Sequence, residues 1–287
     1  MEFVNLYLQT EYSLTQSPIK LDELINKAIE YQYHALAMTD VDNMHGVLKF
    51  YNKCVNANIK PIIGLNLSLS SRDNFYNNVL LYAMNNNGYK NLLKIATLRK
   101  TNKELYLPNI VKYTSDIILI IPNEENEIIK LFYENNYQRA SEIASEYRKY
   151  FEYVYLGLDF QTKESCLNFN KLVSFGSSLG LKCVALNKTC YLNREDLEVY
   201  KVLREIGLSI SGYVPGEKEE NGYFVSKSSA VDLFRKYPEL VLNTIEISNL
   251  CNVTIEMNGY KMPIYDKNID SNIYIKELSY IGLKRRL

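Results

Sequence analysis

A carboxylate at the end of a buried strand is the first feature of this sequence that could do chemistry. Asp40 follows the apolar run Ala35–Met38 and Thr39, and a helix is expected from about Gly46 to Ala57. Barrels and open sheets of the α/β class place catalytic side chains at such strand ends. Asp40 is therefore the leading candidate for a catalytic or metal-binding residue.

The pair Asp40 and Asp42 has the D-x-D spacing that also occurs in polymerase palms and glycosyltransferases. A two-residue pattern alone does not assign an active site. Because both acids precede a predicted helix, they could equally serve as helix caps.

Histidine and cysteine offer few further ligands. The sequence has only His34 and His45, and both are expected to be surface, turn or packing residues. The cysteines are odd in number, widely spaced and without a C-x-x-C pair: Cys54, Cys166, Cys183, Cys190 and Cys251. This pattern indicates reduced thiols in a cytoplasmic protein, and neither a disulfide framework nor a zinc knuckle.

Strands and helices must alternate to position these residues. Apolar runs alternate with amphipathic segments from Phe3 to Ile206, which is enough for about seven βα units. Such alternation predicts an α/β fold with a mostly parallel sheet, and the number of units favours a closed barrel. A polar loop is expected at Ser209–Gly222, followed by two helices and a last helix at Ser271–Leu287.

Composition limits the function classes. The chain of 287 residues is 47% apolar and carries 33 basic and 33 acidic side chains, for a net charge of 0. A dedicated nucleic-acid clamp would normally carry a basic excess. The N-terminus lacks the basic start of a signal peptide, and no apolar run is long enough to span a bilayer, so no membrane partner is expected.

Several segments, in this order, resemble one known family. They are FVNLYLQTEYSL, ALAMTDVDNMHGVLKFY, IKPIIGLNL, NNNGYKNLLKIATL, GYFVS, YPELVLNTIEISNLCNV and MPIY…YIKELSYIGLKRRL. Together they look like the N-terminal PHP (polymerase and histidinol phosphatase) domain of bacterial DNA polymerase III alpha subunits of the DnaE type.

The resemblance implies a distorted seven-stranded (β/α) PHP barrel with a mainly helical C-terminal extension. It places the PHP domain at residues 1–258, with a barrel core at about 1–207 and the helical extension at about 223–252. Residues 259–287 would form a linker and the first helix leading toward a polymerase palm. In metal-binding members, His, Asp and Glu at the strand ends hold up to three metal ions for phosphoester or 3′-exonuclease hydrolysis.

Most ligand positions that the resemblance implies carry other residue types here. The His-x-His motif is replaced by Tyr7-Leu8-Gln9, and Thr-Asp-His reads Thr39-Asp40-Val41. The remaining replacements are Asn66 for Glu, Asn78 for His, Gly157 at a ligand-bearing position near Tyr155–Asp159, and Lys188 and Cys190 in the last Asp-x-His motif.

One carboxylate and one thiol do not make a multinuclear site, so the resemblance predicts no catalytic residue and no bound metal. Only Asp40 keeps the ligand type, and Cys190 is the one other possible donor. Lys188 replaces an acid, and its ammonium group is expected to occupy the place of a metal and to pair with Asp40. An unpaired buried carboxylate would otherwise be costly.

The resemblance implies a structural or partner-docking domain of a cytoplasmic replicative DNA polymerase. Expected partners are the palm and thumb of the same chain, a proofreading exonuclease or other replisome proteins, and DNA through the full-length protein. The full-length nucleotidyltransferase would use Mg²⁺ in its palm. The alternatives are a residual metal-dependent phosphoesterase or 3′-5′ exonuclease, and a free-standing protein-interaction module.

Overall fold

The structure is a computed structural model that describes residues 2–71, 76–256 and 264–287. It divides into two units, Met1–Ile255 and Glu256–Leu287. The described residues of the second unit include one helix, and residues 259–263 of the expected linker lie outside the described residues.

Helices and strands alternate through the first half of the chain. The elements there are α1 (Leu21–Glu30), β1 (Ala35–Met38), α2 (Val47–Asn56), β2 (Lys60–Ser70), β3 (Tyr76–Ala83), α3 (Asn86–Thr101), α4 (Leu107–Ile110) and β4 (Ile117–Pro122). The alternation continues with α5 (Glu127–Tyr133), α6 (Tyr137–Tyr150), β5 (Tyr153–Leu158), α7 (Lys163–Ser178) and β6 (Lys182–Ala185). The rest is helical: α8 (Leu197–Leu208), α9 (Glu217–Glu220), α10 (Lys227–Leu233), α11 (Pro238–Leu250) and α12 (Ser271–Arg286).

The six strands form one sheet in the order β1-β2-β3-β4-β5-β6. β3 is antiparallel to both β2 and β4, whereas the other neighbouring pairs are parallel. The expected mostly parallel sheet is corrected at this one strand. Only five residues separate β2 from β3, too few for the helical crossover that a parallel pair requires.

The N-terminal segment, residues 3–9, forms backbone hydrogen bonds with β1 and with Thr189 in the segment after β6. Ala37 N–H donates to the Asn5 carbonyl at 3.1 Å, and Gln9 N–H donates to the Thr189 carbonyl at 2.9 Å. The segment makes isolated parallel bridges to Leu36 and Thr189, where Phe3–Leu8 was predicted as a strand.

Alternate residues of each strand face opposite layers of the core. In β4, Ile118 and Ile120 face the inner layer, while Ile117, Leu119 and Ile121 pack outward against the helices. The inner layer also holds Ile247 and Cys251 from the end of α11. The strict alternation follows from the two-residue repeat of a pleated strand, and it leaves little space inside the sheet for anything but side chains.

Candidate functional site

Five of the six strands run in one direction, so their carboxyl ends share one edge of the sheet. Polar residues follow four of these ends: Asp40 after β1, Glu124 after β4, Asp159 after β5 and Lys188 after β6. This edge is where α/β folds place their chemistry, and it defines the candidate site.

Asp40 lies fully buried at this edge and is held by the N-terminal turn. Its carboxylate accepts hydrogen bonds from Thr10 N–H at 2.7 Å, from the Thr10 hydroxyl at 2.8 Å and from the Ser13 hydroxyl at 2.7 Å. Burial raises the pKa of the Asp40 carboxyl, and the bonds from Ser13 and Thr10 oppose that rise. Asp40 therefore fixes the N-terminal segment against β1.

Lys188 pairs with Glu124, and the predicted Asp40–Lys188 pair is wrong. The Lys188 ammonium lies 3.0 Å from Glu124 Oε1 and 5.7 Å from the centre of the Tyr7 ring. The reason is that Thr10 and Ser13 already supply both Asp40 oxygens with donors, whereas the Glu124 side chain is only 15% exposed and has a lysine ammonium beside it.

A second lysine completes the charge pairing. Lys218, from α9, places its ammonium 3.4 Å from Glu124 Oε2 and 2.6 Å from Asp159 Oδ2. The two oxygens of Glu124 thus each face a different ammonium group. We call Glu124, Asp159, Lys188 and Lys218 the strand-end cluster; its formal charges sum to zero.

The electrostatics of the strand-end cluster favour the charged forms. Burial acts to raise the pKa of Glu124, but the Lys188 and Lys218 ammonium groups outweigh burial and lower that pKa to about 2. Burial acts to lower the pKa of Lys188, but Glu124 raises it well above its ordinary value. Glu124 and Lys188 are therefore both ionised at neutral pH.

Cys190 and its neighbours lie close to Lys188. The Cys190 thiol faces Gln9 Oε1 at 3.6 Å, and burial raises its pKa to about 11, against the opposing effect of Lys188. The Tyr7 hydroxyl accepts a hydrogen bond from the Asn66 side chain at 3.2 Å. A protonated thiol and a phenol are poor ligands for hard metal ions.

The remaining predicted positions form hydrogen bonds or provide space for neighbouring side chains. Val41 N–H donates to the Ser13 hydroxyl at 3.0 Å, and the Asn78 side chain donates to Glu125. A Cβ atom at Gly157 would lie 2.2 Å from Leu186 Cδ1, so Gly157 makes room for that side chain.

The Asp42 carboxylate has different partners from the Asp40 carboxylate. Its carboxylate lies 3.0 Å from Arg99 Nε and accepts a hydrogen bond from Ser68 N–H at 2.9 Å. The N-cap of α2 is Gly46, without a side-chain cap, so neither acid caps that helix. The two aspartates therefore do not act as one D-x-D metal ligand pair.

A polar cavity of about 660 Å³ opens beside the strand-end cluster. Five of the nine positions predicted from the resemblance line it, namely Gln9, Val41, Asn66, Asn78 and Lys188. Arg99, Arg204 and Glu219 complete its charged wall. The structure thus brings these five positions together but leaves Tyr7, Asp40, Gly157 and Cys190 outside the cavity lining.

The residues at the strand ends do not fit the metal cluster that the resemblance associates with this place. Within residues 2–71, 76–256 and 264–287, no group of three or more His, Cys, Asp or Glu could hold a metal ion. The carboxylates that do meet here, Glu124 and Asp159, are already neutralised by lysine ammonium groups.

The sequence prediction missed Glu124 and Lys218, the centre of the strand-end cluster. Glu124 follows the apolar run Ile117–Pro122 closely, so the strand-end rule that singled out Asp40 would also have found it. Lys218 lies in a polar loop, and nothing in its neighbouring sequence distinguishes it from an exposed lysine.

Curated relatives match the whole chain. The DNA polymerase III subunit alpha of Buchnera aphidicola (subsp. Schizaphis graminum) is 31% identical over 304 residues, covering 100% of this chain and 26% of the relative. The subunit of the same name from Halalkalibacterium halodurans is 27% identical over 296 residues, with 100% and 26% covered. The chain therefore spans about a quarter of the length of these relatives.

Solved structures overlap less closely. An amidohydrolase from Chromobacterium violaceum gives a TM-score of 0.44 at 9% identity, over 66% of this chain and 87% of the other. A two-domain Bacteroides vulgatus protein with a PHP-like metal-dependent phosphoesterase gives 0.40 at 7%, over 82% and 63%.

A family model gives the assignment directly. The PHP domain model matches residues 5–163, more than half of the chain. The matched range includes the N-terminal turn, β1 to β5 and, of the strand-end cluster, Glu124 and Asp159. This chain belongs to the PHP domain family.

Proposed function

We propose that this chain is the N-terminal PHP region of a DnaE-type DNA polymerase III alpha subunit, and that its role there is structural and not catalytic. The match of the whole chain to about a quarter of each relative supports the first part. The second part rests on the site.

One observation carries the structural role: lysine ammonium groups lie between the strand-end carboxylates. Lys188 and Lys218 neutralise Glu124 and Asp159 at distances of 2.6 to 3.4 Å. A hydrolytic metal centre needs open coordination positions for water and substrate. Carboxylates engaged by built-in cations offer none, and they stabilise the fold instead.

The same proposal extends to the architecture. Residues 3–9 serve as a seventh strand that closes the barrel, supported by their bonds to β1 and Thr189. Residues 1–258 form the PHP domain, and residues 259–287 lead toward the polymerase palm.

The proposed setting is a cytoplasmic replicative polymerase. The palm and thumb of the same chain would be the main partners, with a proofreading exonuclease or another replisome protein docking on the domain. DNA and Mg²⁺ would be bound by the palm, which joins the primer 3′-hydroxyl to a deoxynucleoside triphosphate. No helix of the described residues is long and apolar enough to cross a membrane.

Metal content and hydrolysis test the absence of a catalytic centre. We expect the purified chain to hold far less than one equivalent of zinc, manganese or iron. Manganese-supplemented phosphatase and 3′-exonuclease assays should give no turnover above the Asp40→Asn variant. Near-stoichiometric metal, with turnover that Asp40→Asn abolishes, would favour the phosphoesterase alternative.

A full-length polymerase tests the structural role. Lys188→Ala removes one partner of a buried pair, which costs about 3–5 kcal/mol. We expect a lower unfolding midpoint of the domain and unchanged primer extension per folded molecule at low temperature. Lys163→Ala is the matched control, because that lysine side chain is 89% exposed. A loss of extension rate while the Lys188→Ala domain remains folded would contradict a purely structural role.

A further inference from the structure

Helix α8 carries apolar side chains on the face that it turns to solvent. Val199, Val202 and Ile206 are 57%, 56% and 65% exposed. Single exposed apolar residues are common on protein surfaces, but these three are spaced i, i+3 and i+7 and therefore lie on one face of the helix. We call them the α8 stripe. The chain directly after α8 adds exposed Ile210 and Val214, and apolar surface of this extent marks a site of association.

The opposite face of α8 fixes the helix to the rest of the domain. Tyr200 is buried, its ring lies 5.5 Å from the Tyr191 ring, and its hydroxyl donates to Glu219 Oε1 at 2.8 Å. Near the end of the helix, a Cβ atom on Gly207 would lie 2.3 Å from Thr15 Oγ1, so α8 packs directly against the N-terminal turn. The α8 stripe is therefore presented by a fixed helix, and binding does not first have to order it.

Glutamates flank the α8 stripe. Its residues take positions a, d and a of a heptad, which places Glu198 and Glu205 at the two g positions beside the seam. Glu198 Oε1 lies 2.6 Å from Lys201 Nζ, yet the Glu198 side chain is 78% exposed. Glu205 Oε1 accepts a hydrogen bond from Tyr213 N–H at 2.9 Å. Charged residues at g positions determine which helix can pair with such a seam.

The chain around the α8 stripe is acidic as a whole. Residues 195–220 contain seven acidic and three basic side chains, whereas the complete chain has a net charge of 0. Two of the three bases are engaged elsewhere, because Arg204 Nε lies 4.0 Å from Glu219 Oε1 and Lys218 belongs to the strand-end cluster. The charge beside the stripe is therefore negative, and it complements a basic partner.

We propose that the α8 stripe docks a basic amphipathic helix of a separate protein. The apolar side chains of that helix would pack on Val199, Val202 and Ile206, and its lysine or arginine side chains would face Glu198 and Glu205. The proposal rests on the partner-docking role proposed above and adds to it a surface and the chemistry of the partner.

Other occupants fit this surface less well. A second copy of this chain in antiparallel pairing would bring Glu198 against Glu205, and in parallel pairing it would bring these glutamates against the apolar Leu203. Nucleic acid and anionic membranes carry the same sign of charge as the surface around the stripe, so both are repelled by it.

Fluorescence anisotropy with two synthetic peptides tests the proposal. Each labelled peptide has three heptads with leucine at a and d; one carries lysine at e and g, and the other carries glutamate there. We expect this chain to bind the lysine peptide at least about tenfold more tightly than the glutamate peptide. The difference should shrink at an ionic strength of about 1 M, where the screening length falls to about 3 Å. The full-length polymerase should show the same preference.

Three variants locate the binding. Val202→Ser/Ile206→Ser removes the centre of the α8 stripe and should weaken binding of the lysine peptide by at least about tenfold. Because both residues are exposed, the unfolding midpoint should stay within about 2 °C of wild type. Glu198→Gln should weaken binding by about twofold. Leu167→Ser is the matched control, because Leu167 is 84% exposed on α7 and lies outside the stripe.

Equal binding of the two peptides, or undiminished binding to Val202→Ser/Ile206→Ser, would overturn the proposal. Self-association of this chain that the double variant abolishes would also overturn it and would assign the stripe to a second copy. Binding by this chain but not by the full-length polymerase would assign the stripe to the remainder of the polymerase and would overturn it equally. None of these outcomes affects the strand-end ion pairs that carry the structural role, so the two proposals fail separately.

Discussion

Asp40 and Glu124 are both buried carboxylates at strand ends, yet they are stabilised in different ways. Asp40 has three hydrogen-bond donors from Thr10 and Ser13, whereas Glu124 faces two ammonium groups. The pKa of Asp40 is consequently raised by burial, while that of Glu124 is lowered to about 2. Hydrogen bonds from neutral hydroxyls do not offset burial as fully as two cations do.

The pH dependence of stability should report the ionised Glu124. Its pKa is about 2 in the folded chain against an ordinary value of 4.5. A carboxyl whose pKa is lowered by folding stabilises the protein above its ordinary pKa and loses that contribution as the pH falls through the folded pKa. The contribution is about 3 kcal/mol above pH 4.5.

The measurement compares the free energy of unfolding of wild type and Glu124→Gln in denaturant between pH 2.5 and pH 6. The difference should be largest near pH 6 and shrink as the pH falls below 4.5. Glu152→Gln changes an exposed glutamate and serves as the control. A difference that stays constant over the whole range would show that the Glu124 charge does not stabilise the fold.

At the residue scale, the sequence predicted where the charged residues lie but not which of them form ion pairs. Asp40 and Lys188 both lie at the predicted strand ends, because the end of an apolar run is visible in sequence. Which cation reaches which carboxylate depends on loops. Lys218 arrives from α9, some 95 residues after Asn123, and no local pattern encodes that approach.

At the scale of elements, Thr39 joins the N-terminal segment to β1. Its hydroxyl accepts a hydrogen bond from Leu8 N–H at 3.0 Å and donates to the Leu8 carbonyl at 3.1 Å. Thr39 is fully buried, so water would not replace either bond. This side chain thus adds two hydrogen bonds to the backbone bond that Thr39 N–H donates to the Leu8 carbonyl at 2.8 Å.

Thr39→Val should therefore destabilise the domain although it nearly conserves volume. The change leaves the Leu8 N–H without its partner, and we expect a cost of about 1–3 kcal/mol in the free energy of unfolding. Thr101→Val is the control, because Thr101 is exposed and its hydroxyl bonds to the α3 backbone and to the adjacent Asn102 side chain. Equal effects of the two variants in urea unfolding would contradict a role for Thr39 in holding the segment.

Because Gly157 has no side chain, the segment after β6 can pack closely against β5 at this position. A Cβ atom there would lie 2.2 Å from Leu186 Cδ1 and 2.9 Å from Ile120 Cγ2. Gly157→Ala should cost about 1–3 kcal/mol through overpacking. In the double variant with Leu186→Ala the two costs should be less than additive, because the new methyl group fills part of the vacated space.

Unfolding free energies of the four chains in this cycle measure the coupling. Gly282→Ala provides the matched control, since nothing lies within 4 Å of its added Cβ atom. Simple additivity of Gly157→Ala and Leu186→Ala would rule out direct packing of the two positions.

The sequence predicted most elements but not the direction of every strand. The predicted strand at Ala35–Met38 coincides with β1, since a short apolar run bounded by polar residues leaves little freedom. The alternation that reveals β3 is the same for parallel and antiparallel strands, so its reversed direction was not visible.

On the scale of the whole molecule, charge is balanced. The 33 basic and 33 acidic side chains give a net charge of 0, and the formal charges of the strand-end cluster also sum to zero. Sequence-independent DNA affinity comes from release of counterions by a basic surface. A chain with a net charge of 0 has no overall basic excess to supply this electrostatic contribution to DNA affinity.

The isolated chain should accordingly bind DNA weakly. We expect a dissociation constant for single- or double-stranded oligonucleotides no tighter than about 10⁻⁴ M at physiological salt, measured by fluorescence anisotropy. Lowering the salt should have less effect than for a basic domain. Micromolar binding with a steep salt dependence would instead indicate a DNA-contacting surface on this domain.

Lys188 and Lys218 have a consequence for how the domain is supplied with cations. A domain that needs metal ions to neutralise its carboxylates depends on the cellular metal pool and on the order in which ions and chain come together. In this chain the two cations beside Glu124 and Asp159 are lysine side chains. Every copy of the protein is therefore synthesised with both of them, and no ion has to be selected. Newly made protein should therefore reach its folded state at the same rate in chelator as in metal-rich medium.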